Sequence, residues 1–312
     1  MSIIVTEPGL QTSVQGSPFF GFRDSAMPAA GAADPLALAL ANRLVGKAAA
    51  DEALEITLSG ASFRSEIAMH VALAGAPCSL EIDGAKHENH RTIPVRAGQT
   101  IRIGHAASGC RSYLALSARI AIPAIMGSGS TYMPGGFGGL AGRALQAGDE
   151  VQLEPPRESP QPAATPAAMQ PLWTNERLLR ICAGAEAEAF PDGLEQLCAQ
   201  RWTISPRSSR MGLKLEGERL SQCAVDALAS GPVFPGTLQC PPDGLPYLLG
   251  VDGQTSGGYP RIAEVIRADR HLIGQLKPGA YVRFALTTAG RARAILREKY
   301  AAWSGWLPDL RL

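Results

Sequence analysis

The chain has 312 residues, and 29 lysines and arginines against 28 aspartates and glutamates leave a formal charge of +1. That balance excludes the basic stripe of a nucleic-acid binder and the clustered cations of a polybasic membrane anchor, and no apolar run reaches the roughly 18 residues that span a bilayer. Charged residues make up 18%, below the roughly 25% of an average domain, while 34 glycines and 24 prolines predict many turns and short strands, and the length predicts two domains.

The N-terminus, MSIIVTEPGLQT, lacks a basic stretch followed by a long apolar core, so no signal peptide is expected. Asp34-Pro35 followed by LALALANRLVG reads as a helix. Asp34 is its N-cap, a proline holds the first turn, Gly46 ends it, and Leu36, Leu40 and Leu44 share one face. The runs EALEITLSG, IAMHVALAG, SYLALSARI, RWTISP, MGLKLEG and PYLLGVDGQ read as short strands. RAGQTIRI (Arg96–Ile103), QAGDEVQL (Gln146–Leu153) and KPGAYVRF (Lys277–Phe284) share a turn of the form Ala/Pro-Gly followed by alternating apolar residues. Glu154 to Pro171 holds six prolines and little that packs, so it reads as a semi-extended linker. The expected division is 1–153, linker 154–171, and 172–312. Helices are expected at PDGLEQLCAQ, at IAEVIRADRHL with Ile262, Val265 and Ile266 buried, and at TTAGRARAILREKYAAW with Ile295, Leu296, Lys299 and Trp303 near one stripe. The sum is mainly β with a few supporting helices.

Several standard sites are absent. No GxxxxGK[ST] occurs, since Gly46-Lys47 precedes alanine; no GxSxG occurs, and no Met-Lys biotin signature. Cys78, Cys110, Cys182, Cys198, Cys223 and Cys240 lack CxxC spacing, which argues against zinc and against a disulfide framework. His87 and His90 sit in a polar stretch with no third ligand placed by spacing, so a solvated loop is expected there and no metal. GGFGGLAG (Gly135–Gly142) carries a GxGxxA, but no strand precedes it and no acidic residue follows at dinucleotide-fold spacing.

Two segments hold more polar groups than folding requires. Met126-GSGSTYMPGGFGG places Ser128, Ser130, Thr131 and Tyr132 in one glycine-rich loop suited to holding an anion. Val251-DGQTSGGYPRIAEV offers a carboxylate (Asp252), an amide (Gln254), a hydroxyl (Thr255) and a phenol (Tyr259). Gly257 and Gly258 allow close backbone approach to a ligand, and a helix N-terminus is expected after them. A third segment, Ile204-SPRSSRMGLKLEG, sets Arg207 and Arg210 beside Ser208 and Ser209, and an arginine fork suits a carboxylate or phosphate.

PGLQTSVQ, MPAAGAADPLALALANRLVG, EALEITLSG, CRSYLAL, MGSGST with GGFGGLAGRALQAGD, SPRSSRMGLKLEG and PPDGLPYLLGVDGQTSGGYPRIAEVIRAD occur in order from Pro8 to about Phe284. In these the chain resembles the allophanate hydrolase subunit 2 family, also called KipA-like, the 5-oxoprolinase C subunit, and biotin-dependent carboxyltransferase. The resemblance implies tandem cyclophilin-like β-barrel domains and a smaller partner of the allophanate hydrolase subunit 1, KipI or 5-oxoprolinase B-subunit type. A lactam-utilisation protein, the A-subunit type, is the implied third component. The chain departs from the family pattern at four motif positions. VQDxGR becomes Val14-Gln15-Gly16-Ser17-Pro18, SDRMG becomes Ser208-Ser209-Arg210-Met211-Gly212, AYLAVAGG becomes SYLALSAR, and GSRST becomes GSGST with Gly129 for the arginine.

The resemblance implies the C subunit of a cytoplasmic, ATP-dependent 5-oxoprolinase-like hydrolase, active in complex, opening the lactam of 5-oxoproline to glutamate. ATP with magnesium is its expected cofactor. The resemblance leaves two alternatives: carboxyl transfer from carboxybiotin on a separate carrier to urea or a related amide, and a non-catalytic regulator that binds a KipI-like inhibitor. The expected catalytic set is Asp252 as acid/base or anchor, Gln254 and Thr255 as hydrogen-bonding groups, and Tyr259 as proton donor. Ser128, Ser130, Thr131, Arg210, Gly257 and Gly258 are expected to bind substrate or anion, and no metal is expected.

Overall fold

A residue pattern of period two needs neighbouring strands to satisfy its backbone, and nearly every expected run finds them. The computed structural model describes residues 1–156, 158–221 and 228–312; Cys223, and Arg157 of the proline-rich stretch, lie outside them. The chain divides into two units, Met1–Pro18 with Asp34–Trp173 and Ser304–Arg311, and Phe19–Ala33 with Thr174–Trp303 and Leu312.

The first unit carries β1 (Ser2–Glu7), β2 (Gln11–Gln15), β3 (Ala53–Thr57), β4 (Ser62–Ser65), β5 (Met69–Gly75), β6 (Leu80–Ile82), β7 (Ala85–His87), β8 (Ile93–Val95), β9 (Thr100–Ile103), β10 (Arg111–Leu116), β11 (Arg119–Ile120) and β12 (Glu150–Glu154). They form a seven-stranded sheet in the order β11-β12-β1-β4-β9-β6-β7 and a five-stranded sheet in the order β2-β3-β10-β5-β8. Ile3, Phe63 and Ile101 of one sheet and Val14, Leu54 and Leu114 of the other share a single apolar core. Helix α1 (Pro35–Leu44) packs on β5 and β10 of the five-stranded sheet, which buries β3, β5 and β10 along almost their whole lengths. That sandwiching explains why LALALANRL is apolar nearly all round rather than along one stripe. Asp34 caps α1 by accepting the Ala37 amide at 3.0 Å.

The second unit carries β13 (Glu176–Ala183), β14 (Trp202–Ile204), β15 (Gly212–Glu216), β16 (Gly231–Pro232), β17 (Thr237–Gln239), β18 (Tyr247–Leu249), β19 (Ser256–Gly257), β20 (Arg261–Val265) and β21 (Tyr281–Leu286), with α2 (Gly193–Ala199), α3 (Arg270–Ile273) and α4 (Ala289–Trp303). Seven strands close a barrel in the order β13-β20-β17-β18-β15-β14-β21, and a parallel β13–β21 pairing seals the ring. Ile181, Trp202, Leu215, Leu238, Leu248, Val265 and Val282 belong to the core it encloses. β16 and β19 form a separate two-stranded ribbon.

Three expectations are corrected. Ile262–Leu272 is not one helix: Arg261–Val265 is a strand, followed by a 3-10 turn over Arg267–Asp269 and the short α3. A short apolar run is ambiguous between the two states, and here antiparallel pairing with β13 and β17 decides it. No helix N-terminus therefore follows Gly257-Gly258. His90 is not in a solvated loop: its side chain is buried and lies 3.3 Å from the Thr165 hydroxyl. The proline-rich stretch is not a free linker either. Ala163 and Thr165 exchange backbone hydrogen bonds with Thr92 and His90 of the first unit, because the residues between the prolines keep their donors and acceptors.

The repeated Ala/Pro-Gly turn is the same structure three times. Gln99, Asp149 and Ala280 each donate a backbone hydrogen bond three residues back, to Arg96, Gln146 and Lys277. Gly98, Gly148 and Gly279 have φ of 84°, 88° and 77°, and each donates its amide to a separate strand segment, at Ser65, Val5 and Ile204. A Cβ at any of the three would meet nothing within 4 Å, so conformation alone selects glycine. Gly279→Ala is accordingly expected to cost roughly 1 kcal/mol, and Gly279→Asn less, since asparagine tolerates the left-handed region; urea denaturation of the two variants measures the difference.

Candidate functional site

The apolar run Tyr247–Leu249 enters the barrel wall as β18 and emerges at Gly250, where the chain turns sharply: the Gly250 amide donates to Met211 O and the Asp252 amide to Arg210 O. This pairing brings the Asp252 carboxylate against the Arg210 guanidinium. Arg210 Nε donates to Asp252 Oδ2 at 2.8 Å and Nη2 to Oδ1 at 2.9 Å, while Nη2 also reaches Gly31 O at 2.6 Å. The two side chains are 3% and 1% exposed. A planar fork meeting a carboxylate twice is the strongest geometry such a pair adopts. It joins three segments of the second unit: the 30–31 stretch, the turn before β15, and the 250–253 turn. Arg210 is therefore engaged within the protein rather than open to an external anion, and Asp252 presents no free oxygen to solvent.

Beyond Asp252 the loop reaches the surface. Gln254 is exposed and donates to Gln239 Oε1 at 3.3 Å; Gln239 in turn donates to Tyr259 O at 3.0 Å. The Val233 amide donates to Thr255 O, and β16 pairs with β19 through Gly231 and Gly257. Gly257 has no room for a Cβ, which would lie 2.7 Å from Gln239 Nε2, so the close approach expected for a ligand is made there by the protein's own amide; Gly258 is more open. The Thr255 hydroxyl and the half-exposed Tyr259 phenol have no hydrogen-bond partner among the described residues. Arg261 closes one flank, paired with Glu186 and donating to Pro232 O. The loop thus offers an amide, a hydroxyl and a phenol on a base fixed by a buried ion pair.

Glu264 has no place in the sequence expectations. On β20 it stands beside Thr237 of β17, whose hydroxyl donates to Glu264 Oε1 at 2.6 Å. Its other oxygen is buried without a partner among the described residues. Burial pushes this carboxyl above the usual range, against the opposing pull of the Thr237 hydrogen bond and of Arg270 and Arg261. The signal was present in the alternation of Ala263, Glu264 and Val265, and only the helical reading of IAEV hid it.

Ser128, Ser130 and Thr131 lie in the first unit. Ser128 and Ser130 both donate to Ser17 O, at 2.6 and 2.8 Å, and Thr131 donates to Val14 O at 2.9 Å. All three side chains are buried. Their hydroxyls pin the end of β2 rather than face a ligand. Gly16 and Gly129, the two positions where the resembled pattern carries an acid and an arginine, flank Glu52: a Cβ at Gly16 would lie 3.2 Å from its Cγ, and one at Gly129 2.6 Å from Oε1. Glu52 Oε1 accepts the Gly129 amide at 3.2 Å, and Lys47, lowered by burial, donates to Glu52 O at 2.6 Å. Among the described residues no group of three or more metal-ligating side chains occurs.

The carboxyltransferase domain, subdomain A and B, matches residues 25–286. The 5-oxoprolinase C subunit of Escherichia coli (strain K12) is 37% identical over 307 residues, 97% of each chain, and that of Haemophilus influenzae is 30% identical over 289 residues, 92% of each. Urea amidolyase of Saccharomyces cerevisiae is 29% identical over 321 residues, which are 96% of this chain and 17% of that one. The crystal structure of K. lactis urea amidolyase superposes with a TM-score of 0.90 at 27% identity, over 98% of this chain and 20% of that one.

Two outcomes follow from the geometry. Asp252→Ala strands the Arg210 charge in a buried setting and is expected to cost about 3–5 kcal/mol in urea denaturation, most of it recovered when Arg210→Met and Asp252→Leu are combined. For Glu264 the folded state favours the neutral carboxyl. Its contribution to stability is full at acid pH and is lost as pH rises from the ordinary carboxylate range through the raised one. Glu264→Gln should flatten that slope and leave the protein at least as stable as the parent at neutral pH, read from thermal midpoints across pH.

Proposed function

The chain belongs to the carboxyltransferase domain family with subdomains A and B, and from that premise we propose that it is the C subunit of a 5-oxoprolinase-type complex that hydrolyses the lactam of 5-oxoproline to glutamate. The observation that carries this reading is end-to-end correspondence: 97% of this chain aligns with 97% of a 5-oxoprolinase C subunit, whereas in urea amidolyase the matching segment is a fraction of a longer chain. Its partners are proteins of the allophanate hydrolase subunit 1 or 5-oxoprolinase B-subunit type and of the lactam-utilisation type, and its compartment is the cytoplasm.

Opening a lactam requires stabilising negative charge on the ring oxygen and delivering a proton to the leaving nitrogen. The Gln254 amide and Thr255 hydroxyl are the donors for the oxygen. The Tyr259 phenol supplies the proton, and the Arg210–Asp252 pair is a positioning element that holds the loop at its base. ATP with magnesium is the proposed energy source of the complex. The residues of this chain do not fit that group: it has no GxxxxGK[ST] loop, and no cluster of metal ligands occurs among the described residues. The nucleotide is therefore assigned to the partner subunits.

A second reading, carboxyl transfer from carboxybiotin on a separate carrier, is favoured by the TM-score of 0.90 with urea amidolyase. Co-expression with the partner subunits separates the readings. ATP-dependent glutamate release from 5-oxoproline is expected, with kcat lowered at least about a hundredfold in Tyr259→Phe. Carboxylation of urea in its place would establish the second reading, and partner binding with neither turnover would mark a non-catalytic regulator.

A further inference from the structure

The lactam that the proposed reaction opens carries a carboxylate on the carbon next to its ring nitrogen, while the groups assigned to it, Gln254, Thr255 and Tyr259, are all neutral. A cation is the missing complement. Arg210 and Arg261 both bond to this part of the second unit, but each gives its fork to a carboxylate, Asp252 and Glu186. Arg23 also reaches the loop and is held differently. Its Nη2 donates to Val233 O and to Thr255 O, the latter at 3.5 Å, and its guanidinium carbon lies 4.5 Å from the centre of the Phe234 ring. Nε and Nη1 have no partner among the described residues, and neither is fully buried.

Local structure keeps Arg23 at that place. It opens a one-turn 3-10 helix, Arg23–Ser25, which ends at Ala26 in the left-handed region with φ of 61°, and the Met27 amide donates back to Phe22 O. Further on, the Ala30 amide donates to Val251 O at 2.8 Å, and Gly31 O accepts from the buried Arg210. The 23–31 segment is thus tied to the 251–255 loop at both its ends, by Arg23 at Thr255 and by Ala30 at Val251. Asp24 does not neutralise its neighbour, because its carboxylate turns back to the Ser25 amide at 2.9 Å. Burial lowers Arg23, and no carboxylate among the described residues opposes that. The Phe234 ring covers one face of the guanidinium, so the side chain is placed in advance and an arriving anion costs little rotamer entropy.

Resting on the lactam-opening reading, we propose that Arg23 is a specificity-determining residue that takes the carboxylate of 5-oxoproline while Gln254 and Thr255 take the ring oxygen. In that substrate the carboxylate and the lactam carbonyl flank the ring nitrogen, so their receptors must stand close together. The Arg23 guanidinium meets the carbonyl of the same residue whose hydroxyl is assigned to the ring oxygen, and two such atoms of one residue lie within about 4 Å of each other. Nη2 is spent on carbonyls, so Nη1 makes a single charge-assisted bond rather than a fork. A neutral lactam or amide offers that bond no acceptor of matching charge, and Arg23 selects for the acid.

The complex reconstituted with its partner subunits tests this through the split between KM and kcat. Arg23→Gln is expected to raise KM for 5-oxoproline about tenfold to a hundredfold while kcat stays close to the parent's, and Arg23→Lys to recover part of the loss. Inhibition by 2-pyrrolidinone, the same ring without the carboxylate, should be unchanged in both variants. Arg293→Gln, an exposed position on α4, should change neither quantity. Phenylglyoxal modification of Arg23 in the unaltered complex, mapped by mass spectrometry, should be slowed by 5-oxoproline and not by 2-pyrrolidinone, a readout that needs neither a variant nor turnover. A parental KM in both variants, a 2-pyrrolidinone inhibition constant that moves in step with KM, or modification of Arg23 that 5-oxoproline does not slow overturns the inference and leaves the lactam-opening reading standing. A parent complex that carboxylates urea and leaves 5-oxoproline intact overturns that reading, and this inference with it.

Discussion

A guanidinium and a carboxylate removed almost wholly from water, Arg210 and Asp252, set the geometry on which the surface loop of the second unit depends. The two-pronged contact between them, with the Gly31 carbonyl, replaces much of their lost hydration. The pair is weak evidence for net stability, since well-packed apolar residues of the same shape often do as well. Its value lies in fixing where the chain turns between β18 and β19. Because the turn is fixed from below, the Thr255 hydroxyl and the Tyr259 phenol are not spent on holding the loop, and Gln254 makes one side-chain contact there, to Gln239 Oε1. A loop that held itself together through those side chains would leave nothing for a ligand.

The first unit does the opposite. Ser128, Ser130 and Thr131 give their hydroxyls to carbonyls of residues 14–17, and Glu52 fills the space that Gly16 and Gly129 leave open. A glycine-rich polar segment is equally consistent with an anion cradle and with a tightly stapled crossing of two chain segments. What separates the two is whether the donors point at solvent or at backbone carbonyls, and local composition does not carry that information.

Much of the fold is set by short-range physics that the sequence carries openly. The Asp34-Pro35 cap, the alternating runs, and the glycine turn at Gly98, Gly148 and Gly279 are each decided within a few residues, because backbone conformation and capping are local. The polar loop from Asp252 to Tyr259 is legible for the same reason: a dense polar run after a buried strand has few structural explanations. Three things are decided only by tertiary structure. Ile262–Val265 is a strand because β13 and β17 flank it, and an apolar run of that length satisfies either state. Arg210 meets Asp252, and not a ligand, because the β15–β18 pairing aligns residues 42 positions apart. Glu264 acquires its raised pKa from burial against the barrel wall, and desolvation is a property of the surroundings that no residue holds alone.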